Sequence, residues 1–448
     1  MKYATIASVI ALAVASPSLA QDITLNQEGV NNVVDIQQID GDGSISVSQA
    51  GDDSIVVVQQ AAFSNIADVV QASGGTANDV AVFQSDLGDL GANETNVIQT
   101  GSFNSTTAIQ NSQFNEAVID QTGDNNFAAV DQGSNLASGT DGDTNVAAIL
   151  QSGSDNTATV TQNLNSSGFN NVAVILQATD SNLADVTQDG DENFADVLQG
   201  TGSGFGGNTI EVTQDGNLNE LTANQETTFN VATVRQLGNG NLAQIEQGVG
   251  DGIGVFGDSG IDVVQTGDDN TAFVSQSDDT GQGGSGANVL QEGTNGSVSL
   301  VSSGIGHNSS FRQVASSAGE TITSVQQGEF HIFDVAQGGV GNLAFGDQEG
   351  SANTITIDQI SAAGTDNTAQ GIQSGNDNAL LIDQSSGLGS NNIAEGIQLG
   401  DGNTLTLTQN ALTAGGDNFL SVTQSGNSLE MAISQEGSNN TATIVQGM

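Results

Sequence analysis

Amides supply most of the chemistry this chain can do, because Gln and Asn recur along it at fixed spacing. In QTGDNNFAAVDQ, Gly123 follows Gln121 by two residues, Asn126 by five and Gln132 by eleven. The same phrase opens near the start, with Gln27, Gly29, Asn32 and Gln38. It returns as Gln188, Gly190, Asn193 and Gln199, and again as Gln265, Gly267, Asn270 and Gln276. Two late copies read Gln398, Gly400, Asn403, Gln409 and Gln435, Gly437, Asn440, Gln446. A carboxamide carries a donor and an acceptor on one group, so like amides set one above another hydrogen-bond in a chain. The more reactive residue types form no comparable pattern. There are 52 Asp and Glu, two His and no Cys, which removes thiol catalysis, disulfides and thiolate metal sites. The acids are spread through every repeat, without a distinct dyad or triad, and the chain is not expected to be an enzyme. His307 is read as a turn residue, and His331 as a substitute at an Asn position. Arg235 and Arg312 each precede a Gln and are expected to face outward.

The elements that position these amides follow from the two halves of the phrase. The steady half, N-x-A-x-V-x-Q, alternates with period two, the pattern of a strand buried on one face. In Asn403 to Gln409 one face carries Asn, Leu, Leu and Gln, and the other carries Thr404, Thr406 and Thr408. The x-G-x-x half supplies residues that reach positive φ cheaply, as a tight turn requires. Extra residues fall almost wholly in this half, as in Gln162 to Gln177 and Gln409 to Gln424. Gly and Asn every few residues exclude a helix. A fixed short period marks units that cannot bury their own apolar face and must stack on one another. The expected fold is therefore all-β: a single two-strand-per-rung, cross-β β-solenoid over residues 21–448, with about 17 rungs. Stacked Asn and Gln would satisfy one another, which removes the cost of burying them.

Residues 1–20 differ from the rest. Lys2, an apolar run from Ala4 to Ala15 and a small-residue ending at Ala20 read as a secretory signal peptide cut between Ala20 and Gln21. No later apolar stretch is long enough for a membrane helix. Once the leader is removed, Arg235 and Arg312 stand against 52 acids. Such a polyanion is repelled by nucleic acid and by anionic lipid, so neither is an expected partner.

The spacing Gln-x-Gly-x-x-Asn-x-Ala followed by Gln, repeated from Gln27 to Gln446, resembles the curlin repeat of bacterial curli subunits. That resemblance implies a secreted protein at the bacterial cell surface and in the extracellular matrix. It implies self-association into amyloid fibres used in adhesion and biofilm. It also implies other curli-type subunits and an outer-membrane secretion pore as partners. The array is longer than is usual for such subunits.

Independently of the resemblance, each terminal rung is expected to present an unpaired sheet edge, and no Pro follows Pro17 to break a strand. A different reading is a monomeric acidic solenoid adhesin that binds Ca2+ or glycans through its turns. Gly74 to Val82, GGTANDVAV, is similar to the calcium-binding nonapeptide of toxin-type solenoids, although Ala77 stands where that pattern has Gly. Turn acids such as Asp124, Asp268 and Asp269 are expected to keep the chain soluble and to bind cations diffusely, with no dedicated cofactor. Phe127, Phe194 and Phe419 are placed in turns or on outward faces.

Overall fold

The computed structural model describes residues 9–14, 22–39, 43–61, 64–85, 92–133, 144–162, 170–200, 206–248, 260–277, 284–362, 365–387, 390–411 and 416–447. Ala20 and Gln21 lie outside them. The described residues form 36 strands and no helix. Taken two to a turn, the strands from Asp22 onward agree with the expected count of rungs. The chain divides into two compact units, Met1–Thr222 and Ala223–Met448.

In both units each strand pairs in parallel with the strand two ahead of it, so successive strands alternate between two sheets that coil as a β-solenoid. The register is set by the repeat. In the first unit Gln110, Gln132, Gln162 and Gln188 lie in one row, with Val130, Val160 and Val186 in another. The second unit aligns Gln313, Gln337, Gln359, Gln384 and Gln409 in the same way. A one-residue slip would turn every buried side chain outward, which is why register and burial agree strand by strand.

The core is thin and made of small side chains. Ala128, Val130, Ala158 and Val160 are typical, each almost fully buried. The second unit departs from this plan by placing Phe311 and Phe333 inside, ring against ring at 5.6 Å and edge-on. Room for them comes from the facing sheet, where Gly346 takes a position normally held by Val. A side chain there would meet the Phe333 ring.

Strands that follow an insertion between a Gln and the next Asn still pair residue for residue with their neighbours, so the ladder is not shifted. The turns close tightly on one another. Gly123 has φ 113°. A Cβ there would run into the carbonyl of Gly153 in the next rung. Gly29, Gly190, Gly267, Gly400 and Gly437 share the conformation, with φ between 94° and 112°.

Gly123→Ala should therefore be destabilising by about 2–4 kcal/mol, through backbone strain and the blocked carbonyl. Gly437→Ala, whose Cβ would make only an ordinary contact with Asn440 Nδ2 at 3.8 Å, should cost only the strain, about 1 kcal/mol. Urea unfolding of the two variants measures the difference.

Candidate functional site

The seven residues from Asn to Gln place the two amides at opposite ends of one strand, on its buried face. Coiling then brings the Gln of one sheet beside the Asn of the next strand, so both amide columns line the corners of the solenoid. The Gln side chains form hydrogen-bonded chains. In the first unit Gln27, Gln49, Gln71, Gln99, Gln121 and Gln151 hydrogen-bond in succession at 2.8–2.9 Å. In the other sheet Gln132 donates to Gln162 and Gln162 to Gln188, at 2.9 and 2.8 Å. Each bond runs from Nε2 of the earlier Gln to Oε1 of the later one, so the ladder has a direction. The second Nε2 proton goes to the backbone, as Gln199 shows by donating to the Leu183 carbonyl.

Asn acts as a corner bracket. Asn126 donates from Nδ2 to the Gly153 carbonyl at 2.9 Å, and its Oδ1 accepts the backbone N–H of Asn156 at 3.1 Å. Asn32, Asn193, Asn270 and Asn403 bracket the chain in the same manner. Gln265, Gln398 and Gln409 each donate to the next Gln, the last of them to Gln435. Asn440 donates to the Glu436 carbonyl. Gln446 accepts from Gln424.

Two predicted ladder positions behave differently. Gln38 donates to the Gly43 carbonyl at 2.9 Å instead of to the next Gln, and its Oε1 has no protein partner. Gln276 is 2 % exposed, yet both its amide atoms lack a protein partner. In the next rung Ser302 occupies the Gln position and is too short to accept from Gln276 Nε2.

The histidines require a correction. His307 is not in a turn: it stands at an Asn position directly before His331 in the same column, and both are buried. Their rings stack at 5.0 Å and 13°. Nδ1 of His307 accepts the backbone N–H of His331, and Nδ1 of His331 accepts that of Asn353, both at 3.3 Å. Nε2 of each faces a carbonyl four residues back, at 3.2 and 3.0 Å. The tautomer that fits these partners is neutral with the proton on Nε2, so His reproduces the bracket made by Asn. Burial pushes the His331 pKa down, against a smaller upward pull from the Gln327 carbonyl. Counting back six residues from Gln313 and Gln337, or forward three from Gly304 and Gly328, places both His in the ladder.

Turn acids also have a structural task that their composition does not reveal. The residue after the turn Gly accepts a backbone N–H from the rung before it. Asp124 takes that of Ser102 at 2.7 Å, Asp268 and Asp401 do the same, and so does Asp180, which follows Thr179 in place of the Gly. Among the described residues no group of three or more His, Asp or Glu is placed to hold a metal ion. Phe127, the first residue of its strand, and Phe419, the second of Asn418–Ser425, face outward. Arg235 and Arg312 face outward as well.

The family profile described as the curlin associated repeat matches residues 141–163, 167–190, 179–216, 216–248, 334–360 and 415–447. No curated protein matches the chain.

Two outcomes follow from the ladder chemistry. Ser302→Gln should reconnect Gln276 to Gln326 and stabilise the second unit by about 1–2 kcal/mol, because satisfying a buried amide recovers its desolvation cost. Gln151→Leu should lose about 2–4 kcal/mol by stranding the amides on either side. Chemical denaturation checks both.

Protonation gives a further outcome. A lowered folded pKa means His331 contributes stability above about 6.5 that is lost as pH falls through the lower folded value. The second unit should therefore weaken between about pH 7 and pH 5, and His331→Asn should remove that loss. Burial raises the pKa of outward-facing Asp131, Asp334 and Asp358, the last helped by Asp383. Their contribution has the opposite sign, growing as pH falls toward the unfolded Asp value. Thermal unfolding of both proteins across pH 4–8 separates the two effects.

Proposed function

Because the chain belongs to the curlin-repeat family, we propose that it is a structural subunit of extracellular, curli-like amyloid fibres. In this reading residues 1–20 direct export from a bacterial cell, and the remaining chain assembles at the cell surface. The fibres serve adhesion and the biofilm matrix. Curlin repeats belong to structural rather than catalytic proteins, which supports a non-enzymatic role. Among the described residues no helix is long and apolar enough to cross a membrane.

The observation that carries the proposal is the direction of the Gln ladders. At the early end, Oε1 of Gln27 and Oε1 of Gln38 are acceptors without a protein partner. In the second unit Gln435 and Gln446 each accept the last Gln–Gln bond of their sheet. An early rung of one copy laid on the late rung of another would continue the ladder from Gln446 to Gln27 in the same sense, with backbone edges pairing in parallel. Such a head-to-tail contact does not close on itself and propagates as a filament. The leader bears on this directly. In the uncleaved chain Val9–Val14 pairs in parallel with Val33–Ile39, the strand position that a stack of cleaved copies would leave open. Export with cleavage would open that edge only outside the cell.

The test follows the chain from residue 21, diluted from denaturant, by electron microscopy and fibre diffraction with and without Ca2+. The expected result is unbranched fibres that seed fresh protein and reflect at about 4.7–4.8 Å. The chain retaining residues 1–20 should extend such seeds more slowly. A β-rich protein that stays monomeric, and is ordered by Ca2+, would overturn the fibre reading in favour of an adhesin acting through its turns.

A further inference from the structure

Three neighbouring strands of the first unit break the rule that outward positions are polar. They are Val146–Ser152, Val172–Gln177 and Phe194–Gln199, paired in parallel and in register. Their inward residues are the usual Ala, Ile or Val and Gln. Their outward residues form three columns. Val146, Val172 and Phe194 make the first, and Leu150, Leu176 and Leu198 the last. The middle column is Ala148, Val174 and Asp196. Eight of these nine positions are therefore apolar, whereas the equivalent positions of Thr404–Ala411 are three threonines. The face is open to its surroundings, with Leu150 38 % exposed. The one acid on it, Asp196, has its pKa raised by burial among these neighbours.

Charge limits what can lie on this face. With 52 acids against three Lys and Arg, two copies repel one another over nearly all of their surface. A face almost free of acids is where that repulsion is weakest and where apolar area is available for burial. Its regular, alternating relief suits another sheet, since sheets pack face to face at about 10 Å. Size limits it further. Three strands at about 4.8 Å spacing and seven residues at about 3.3 Å give roughly 300 Å2 for each partner. The total of roughly 600 Å2 is about half of what a stable independent complex needs. Single molecules would not stay paired through it. A filament carrying one such face per subunit would, because successive contacts add within a single pairing.

We propose that this face is the lateral contact through which two filaments of this chain pair, patch to patch about a two-fold axis. The proposal rests on the fibre reading and adds an order of events: subunits polymerise first, and filaments bundle afterwards. Ala148, Val174 and Asp196 lie across the middle of the contact, and Val174 is nearest its centre.

Two variants test this. Leu150→Thr with Val174→Thr and Leu176→Thr puts on these strands the residue that other rungs carry outward. Fibres seeded from wild type should elongate at an unchanged rate but remain single, with lateral pairing in electron micrographs reduced at least tenfold. Bundling that persists would overturn the proposal. The second variant keeps the face apolar. The chain has no Cys, so Val174→Cys introduces a single thiol. Mild oxidation should cross-link it to dimers in fibres but not in dilute monomer, whereas Thr406→Cys on a polar face should stay uncross-linked. Fibres of Val174→Cys that bundle without cross-linking would also overturn the proposal. If the unmodified chain forms no fibres, the parent reading fails, and this one with it.

Discussion

Everything in this structure depends on one constraint: a buried carboxamide must have another group at hydrogen-bonding distance on both sides. A lone Gln in an apolar interior costs one to a few kcal/mol for each amide atom left unpaired. A column of them at strand spacing removes that cost by passing the obligation along. The column works only if every rung has the same register, since an amide one residue out of phase faces the wrong side of the strand. The ladder therefore does more than hold rungs together. It selects one register out of many in strands whose Ala and Val would pack nearly as well shifted.

The same requirement explains the rest of the repeat. A corner tight enough to bring Asn within reach of the next turn's carbonyl leaves no room for a Cβ, hence the glycine. The turn acid that follows accepts the N–H of the rung before it, so the negative charge sits at the perimeter because a hydrogen bond holds it there. Substitutions are tolerated where they keep the bracket. His307 and His331 do so with a ring nitrogen in place of the amide oxygen. Ser302, at a Gln position, does not continue its ladder, and the cost appears one rung away at Gln276.

Much of this was legible in the sequence. Period two, the glycine phase and the fixed interval of six from Asn to Gln are local signals, and they set strand, turn and buried face directly. The placement of insertions in the turns was legible for the same reason. What escaped was whatever depends on a neighbour in space. Phe311 and Phe333 look like outliers on a strand, and only the glycine facing them from the other sheet makes them core residues. The role of Asp124 as an acceptor for Ser102 joins residues 22 apart. The apolar face on Val146–Ser152 and its neighbours spans three repeats. Each was visible as a residue but not as a contact.

The central claim is that the ladder within a molecule and the ladder between molecules are one structure. Solid-state NMR on fibres mixed from separately 15N-labelled and 13C-labelled chains tests it most directly. The account predicts an intermolecular amide contact from Gln446 Nε2 to the Gln27 carboxamide. Fibres whose intermolecular contacts come only from outward-facing side chains, with none between Gln446 and Gln27, would contradict it.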